Sequence, residues 1–181
     1  SIVVHGATAL STLVVFRKDI GALLAGLFSG QTFPANNLPS RSYIGWLALS
    51  AIPAAAVGLT ARGALESTFL GHPERVGAML LVTAGILLLA QRLPGRHAPL
   101  TGGRAFLIGL AQAFAILPGI SRSGSTISAA LLLGISRDEA ARFSFLMALP
   151  PILGAMLLEV GDALEGGSAG SPWVVYAIGA A

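Results

Sequence analysis

Apolar residues in this chain fall in blocks about as long as a membrane is thick, with short polar connectors between them. Residues 44–61, 76–91, 105–121 and 143–158 contain no charged side chain, and residues 2–16 carry a histidine as their one titratable group. A hydrocarbon core about 30 Å thick asks for about 20 apolar residues, within a range of roughly 17–25. The blocks sit at or slightly below that range. The pattern predicts spanning helices over about 2–16, 44–61, 76–91 and 143–160, a re-entrant helix-loop-helix over 105–134, and the start of a further span at 173–181. The expected fold class is an all-α integral membrane protein, a polytopic helical bundle forming a single transmembrane domain over residues 1–181. Both ends lie inside apolar runs, so the chain reads as the middle portion of a longer membrane protein.

The re-entrant segment follows from the connectors. These are residues 17–42, 62–75, 92–104, 136–142 and the acidic 161–172, which has no lysine or arginine. Cytoplasmic connectors carry an excess of lysine and arginine. If every block crossed, Arg17, Lys18, Arg41, Arg92, Arg96 and Arg104 would face one side and Arg62, Arg75, Arg137 and Arg142 the other, six against four. If residues 105–117 instead dip in, break at Pro118-Gly119 and return through 126–134, Arg137 and Arg142 change sides. The balance becomes eight against two. The return limb is also only about half a span long at ~1.5 Å per residue. The hairpin wins, with Arg17, Arg96 and Arg137 cytoplasmic and 161–172 outside. Irregular backbone at membrane depth needs burial in protein or a wet cavity, so the break predicts a polar cavity near the midplane. Broken helices of this kind usually come in pairs from inverted repeats. The second member would precede Ser1, making this hairpin half of a pair.

Charge sharpens the picture. Only 10% of residues are charged, against roughly 25% in soluble domains. A net charge of +3 and a pI of about 10.2 would point to nucleic acid in a soluble protein. Here the arginines sit mostly at block ends, as membrane flanks do, and no nucleic-acid partner is expected. The chain has no cysteine, which excludes a disulfide framework and a thiolate metal site.

One arginine breaks the rule. Arg122 lies in "PGISRSGST", residues 118–126, between apolar runs. A charge near the bilayer centre costs ~2.5–3.5 kcal/mol on insertion scales, which calls for a function. Ser121, Ser123, Ser125 and Thr126 offer hydroxyls, while Gly119 and Gly124 let backbone N–H groups approach a ligand closely. A helix is expected to begin just beyond, with Ser125 as its N-cap. Its positive end favours an anion, and the guanidinium fork suits phosphate oxygens. The reading is a phosphate cradle inside a membrane.

The stretch "PGISRSGSTISAALLLGISRDEAARFSFLMALPPILGA", residues 118–155, closely resembles the signature region of bacterial undecaprenyl-pyrophosphate phosphatases, also called bacitracin-resistance proteins. Residues 3–20, "VVHGATALSTLVVFRKDI", resemble the helix after that family's first signature. The resemblance implies a membrane hydrolase of the bacterial inner membrane, multi-pass, with its cavity facing outward. It would take a C55 polyprenyl pyrophosphate to the monophosphate plus phosphate, recycling the lipid carrier of peptidoglycan synthesis and giving bacitracin resistance. It implies inverted repeats and a divalent cation, Mg or Ca, and it allows a homodimer. Carried over by position, Arg122 would hold the pyrophosphate, with Ser121 and Thr126 lining the same loop as catalytic candidates and the nucleophile open between them. Gly119, Ser123, Gly124 and Ser125 would complete the substrate-binding loop. The family's catalytic glutamates, and with them any metal ligands, would lie before Ser1, so no metal ligand is expected within this chain and the chain alone is expected to be inactive.

Other polar residues are weaker candidates. His5, in an apolar helix, is a further substrate-binding candidate, although a bond to a neighbouring carbonyl explains it as well. Glu159 reads as a solvated helix end, and His72 and His97 as surface residues. Pro53 and the Pro150-Pro151 pair are expected to kink their helices. From the residues alone, a secondary transporter or lipid flippase with a midplane anion site stays open, since broken helices and midplane anion sites serve transporters too.

Overall fold

The computed structural model describes residues 10–34, 36, 38–69, 71–93, 95–152 and 154. Its elements are α1 (Arg17–Ser29), β1 (Thr32–Phe33), β2 (Leu38–Pro39), α2 (Ser40–Thr60), α3 (Arg62–Phe69), α4 (Pro73–Arg92), α5 (Gly102–Phe114), α6 (Arg122–Leu132) and α7 (Arg137–Leu146). Residues 10–15 are also helical and lead into α1. Among the described residues, two helices are long and apolar enough to cross a membrane. They are α2, 21 residues with mean hydropathy 1.5, and α4, 20 residues with mean hydropathy 1.6. Leu80, Leu81, Leu87, Leu88 and Leu89 of α4 are all exposed, an apolar surface that suits lipid.

The helices begin and end where local chemistry dictates. Thr101, Ser121 and Ser136 cap α5, α6 and α7, each hydroxyl accepting an N–H three residues on. Asp138 and Glu139 add negative charge to the first turn of α7, at the positive end of its dipole. Past α6, Gly134 adopts φ 81° while the Ile135 N–H reaches back to the Ala130 carbonyl at 3.0 Å, a left-handed stop that closes the helix.

Several expectations need correcting. Residues 17–42 are not a plain connector. They hold α1 and a short antiparallel strand pair, Thr32 opposite Pro39 and Phe33 opposite Leu38. Likewise 62–75 contains α3, and 136–142 is the capped start of α7 rather than a loop. The helix expected over 143–160 is interrupted after Leu146: the chain turns at Met147 and Ala148 and is helical again at residues 149–152 and 154. Pro150 and Pro151 explain the break, because neither can donate an N–H to the carbonyl four residues back and each ring crowds that carbonyl. Pro53, by contrast, sits inside a helix that continues past it. The expectations for residues 1–9, including His5, for Glu159, and for residues 161–181 fall outside the described residues.

The core joins α2, α5, α6 and α7. Tyr43 of α2 is fully buried, its ring 4.9 Å from Phe33 and 5.7 Å from Phe143. Ile108, Ile135 and Met147 are equally buried. Backbones approach most closely where Gly109 of α5 rests on Ser50 of α2. A Cβ there would collide with the Ser50 carbonyl.

At one end of the bundle, three links gather the basic connectors. The Ala98 N–H donates to the Gly134 carbonyl at 2.9 Å, and Arg137 donates to the Leu93 carbonyl at 3.0 Å. Arg142 pairs with Asp19 at 3.6 Å. The end of α6 is therefore bonded three residues before Thr101, the cap of α5. The two helices form a hairpin whose open ends lie together.

Candidate active site

The tip of that hairpin is pinned to the middle of α4. Thr83 donates through Oγ1 to the Gly119 carbonyl at 2.8 Å and accepts the Ser121 N–H at 3.1 Å. Counted at 1.5 Å per residue, Thr83 lies about 15 Å from Pro73 and about 13 Å from Arg92. Gly119 is required on two grounds. Its φ is 94°, and a Cβ would sit 2.6 Å from the Val76 carbonyl oxygen. This turn delivers Ser121 in extended conformation, φ −72° and ψ 117°, ready to cap α6.

Ser125 is therefore not the cap. Ser121 takes that position, its Oγ accepting the Gly124 N–H at 3.1 Å. The reason lies upstream, in the left-handed turn at Gly119, which starts the helix four residues earlier than the serine pattern suggested. Ser125 falls within the first turns of α6, 5% exposed, and its hydroxyl has no partner among the described residues.

Arg122 is the first residue of α6. Helix starts leave their first N–H groups without intrahelical acceptors, and the guanidinium emerges from that same turn. It lines a cavity of about 560 Å³ with Ala54, Ala55, Gly58, Gln112 and Pro150. Its hydrogen bond to protein is a long one, 3.5 Å from Nη2 to the Ala148 carbonyl. Among the described residues it forms no ion pair. A half-buried cation with so little protein compensation is built to meet an anion from elsewhere.

The other expected site residues surround Arg122 without all facing the cavity. Thr126 is fully buried, bonding back to the Arg122 carbonyl at 3.0 Å and meeting Ser144 Oγ of α7 at 2.5 Å. It sits at the α6–α7 contact. Ser123 is exposed, and Gly124 is buried against Ser121 and Leu87. Of the catalytic and binding candidates among the described residues, Arg122 alone lines this cavity.

Two further residues carry the site and were not singled out from sequence. They are Thr83, in the uncharged block 76–91, and Gln112, in the uncharged block 105–121. A hydroxyl or amide inside an uncharged block is the signal that was available. Among the described residues no carboxylate lines the cavity, and no group of three or more His, Cys, Asp or Glu could hold a metal ion. These residues do not by themselves fit a divalent cation.

A second polar cluster stands at the connector end. Asn36 donates to Glu139 Oε1 at 2.7 Å, tying the strand pair to α7. Burial raises the Glu139 carboxyl above its ordinary pKa, with the Asn36 bond and nearby Arg142 pulling the other way.

Fold and site together define a class: a helical protein of membrane character, with a cation at the start of a helix lining one cavity. The chain belongs to the family described as bacitracin resistance protein BacA, whose family model it matches over residues 1–181. It is similar to the undecaprenyl-diphosphatase of Rhodopirellula baltica, 45% identical over 184 residues, covering 99% of this chain and 66% of that protein. The undecaprenyl-diphosphatase of Christiangramia forsetii is 47% identical over 160 residues, 88% of this chain and 59% of the relative. That of Korarchaeum cryptofilum is 40% identical over 161 residues, 87% and 61% respectively. The chain thus spans about three fifths to two thirds of the length of the curated relatives it matches.

Proposed function

We propose that the protein containing this chain hydrolyses undecaprenyl pyrophosphate to the monophosphate plus phosphate, and that this chain supplies the pyrophosphate-holding half of the site. One observation carries the reading: Arg122, at the N-terminus of α6, lines the cavity without an ion pair among the described residues. Family membership and the relatives' shared name support the substrate class.

In this mechanism the lipid diphosphate enters with its phosphoryl oxygens toward Arg122 and the first N–H groups of α6. The guanidinium fork takes two oxygens at once. As water or a hydroxyl attacks the terminal phosphorus, the bridging P–O bond breaks and negative charge grows on the leaving lipid monophosphate. Donors already aimed at that charge lower the barrier without reorganising. Ser121 holds the helix start in place, and Thr83 holds the loop that presents it. The base that activates the nucleophile, and the ligands of the divalent cation the family resemblance implies, are proposed to be carboxylates outside the described residues.

The α5–α6 hairpin is proposed to be re-entrant, its tip at mid-depth beside Thr83, with a partner hairpin related by inverted repeat. The basic connectors would face the cytoplasm and the cavity would open on the outer side of the inner membrane. The test is phosphate release from farnesyl pyrophosphate by the purified full-length gene product in detergent, with Arg122→Ala as control. Release by wild type and none by the variant is expected. Transport of the lipid across vesicles without phosphate release would replace the hydrolase with a transporter.

A further inference from the structure

Gln112 is the most unusual polar residue of the cavity. It is 3% exposed, and neither its Nε2 nor its Oε1 has a hydrogen-bond partner among the described residues. An amide carries two donors and an acceptor oxygen with two lone pairs, so burying one unpaired is costly unless something else fills the site. Three residues earlier, on the same face of α5, Gly109 seats directly on the Ser50 backbone. Gln112 therefore meets α2 one turn further along, where the side chains are Ala51, Ala54 and Ala55, and these small groups leave the cavity open. Besides Gln112, Arg122 is the one polar side chain among the described residues that lines it.

We infer that Gln112 is a second contact for the bound pyrophosphate, donating its Nε2 N–H to the phosphoryl group esterified to the lipid while Arg122 holds the terminal one. The inference rests on the reading of the site as a lipid-pyrophosphate site. Charge assigns the two ends. The terminal phosphoryl carries more negative charge and belongs with the guanidinium. The esterified one carries less and joins an apolar tail, so a neutral donor among alanines suits it. A cavity of about 560 Å³ is within the range of small-molecule sites.

The experiment measures binding of farnesyl pyrophosphate and of farnesyl monophosphate to the full-length gene product by calorimetry, with phosphate release and thermal melting alongside. Gln112→Met keeps the length and removes the donor. It should weaken both ligands about tenfold or more, the scale of a lost hydrogen bond to a charged group. KM should rise, and kcat should fall as well, because negative charge grows on that phosphoryl as the bridging bond breaks. Inhibition by inorganic phosphate, which needs only the Arg122 end, should be unchanged. Gln112→Glu places a carboxylate against the anion and should bind more weakly still. Wild-type affinity in Gln112→Met overturns the inference, as does a lower melting temperature with unchanged binding, which would make the amide a packing partner. If wild type binds farnesyl pyrophosphate but releases no phosphate, the hydrolase reading fails while the Gln112 contact is still decided by affinity. If wild type binds neither ligand, both fall.

Discussion

The backbone N–H of Ser121 donates to Thr83 Oγ1 across 3.1 Å, and the same hydroxyl donates to the Gly119 carbonyl at 2.8 Å. One side chain at the middle of α4 thus holds both flanks of the turn that aims Arg122. Thr83→Val preserves the shape and removes both bonds. Stability should fall by about 1–3 kcal/mol, two ordinary hydrogen bonds with a buried group left unpaired. Turnover should fall by ~10-fold or more as the loop loses its geometry, and Thr83→Ser should recover most of it. Melting and phosphate release on the purified full-length variants check this. Unchanged turnover in the valine variant would mean the loop holds itself.

Arg122→Lys tests the fork against the charge. An ammonium keeps the charge but cannot present two parallel N–H groups. Lysine should lose most activity, and Arg122→Ala should be inactive yet still inserted, as judged by its level in isolated membranes. Near-normal turnover with lysine would show that a point charge suffices.

The two serines at the start of α6 should separate cleanly. Ser121→Ala removes the cap and should cost ~1 kcal/mol, with turnover falling because the first turn frays beneath Arg122. Ser125→Ala removes a buried hydroxyl that has no partner among the described residues. It should melt at or above the wild-type temperature. The reverse order would put the functional cap at Ser125.

Glu139 gives a pH signature. Burial raises its native carboxyl, so the folded chain binds its proton more tightly than the unfolded chain, where glutamate titrates near about 4.3. This group's contribution to stability is full below the unfolded value and is lost as pH rises through the native one. Glu139→Gln keeps an acceptor for Asn36 and does not titrate. Its melting temperature should gain on wild type as pH is raised from about 4 toward neutrality. A constant difference across that range would show that the carboxyl titrates normally.

Topology can be read with single cysteines at positions 96, 137 and 67 and an impermeant thiol reagent. Arg137 bonds to Leu93 just before Arg96, so positions 96 and 137 should label from the same side. Position 67, in α3 beyond the far end of α2, should label from the other. Labelling of 96 and 137 from opposite sides would break the re-entrant arrangement.

Much of this was legible in the residues because each signal was local. The uncharged blocks at 44–61 and 76–91 needed only length and polarity, and they became α2 and α4. Pro118-Gly119 announced the hairpin break, and Arg122 stood out by its cost in an apolar setting. What was not legible depended on pairings distant in sequence. Thr83 and Gly119 are 36 residues apart, and nothing in the composition of α4 predicts their bond. Choosing Ser121 over Ser125 as cap required the φ of Gly119, and both serines have suitable neighbours. Residues 17–29 and 136–142 were read as connectors because charges marked them as membrane flanks, but flank charges do not prevent a helix. Gln112 had no visible role until the cavity gave its amide a setting.

The contact between Gly109 and Ser50 divides α2 into two unlike halves. As far as Ser50 the helix is gripped: Ser40 presses on Gly26, Tyr43 is wedged between two rings, and Ser50 carries the backbone of α5. Beyond it, Ala51, Ala54, Ala55, Gly58 and Leu59 form cavity wall. Pro53 stands at the border and deprives the Leu49 carbonyl of its intrahelical donor. The helix is thus weakest in bending where its clamped half meets its free half. Bending of α2 is therefore easiest at that one turn, where it would reshape the cavity wall and leave the clamped half in place.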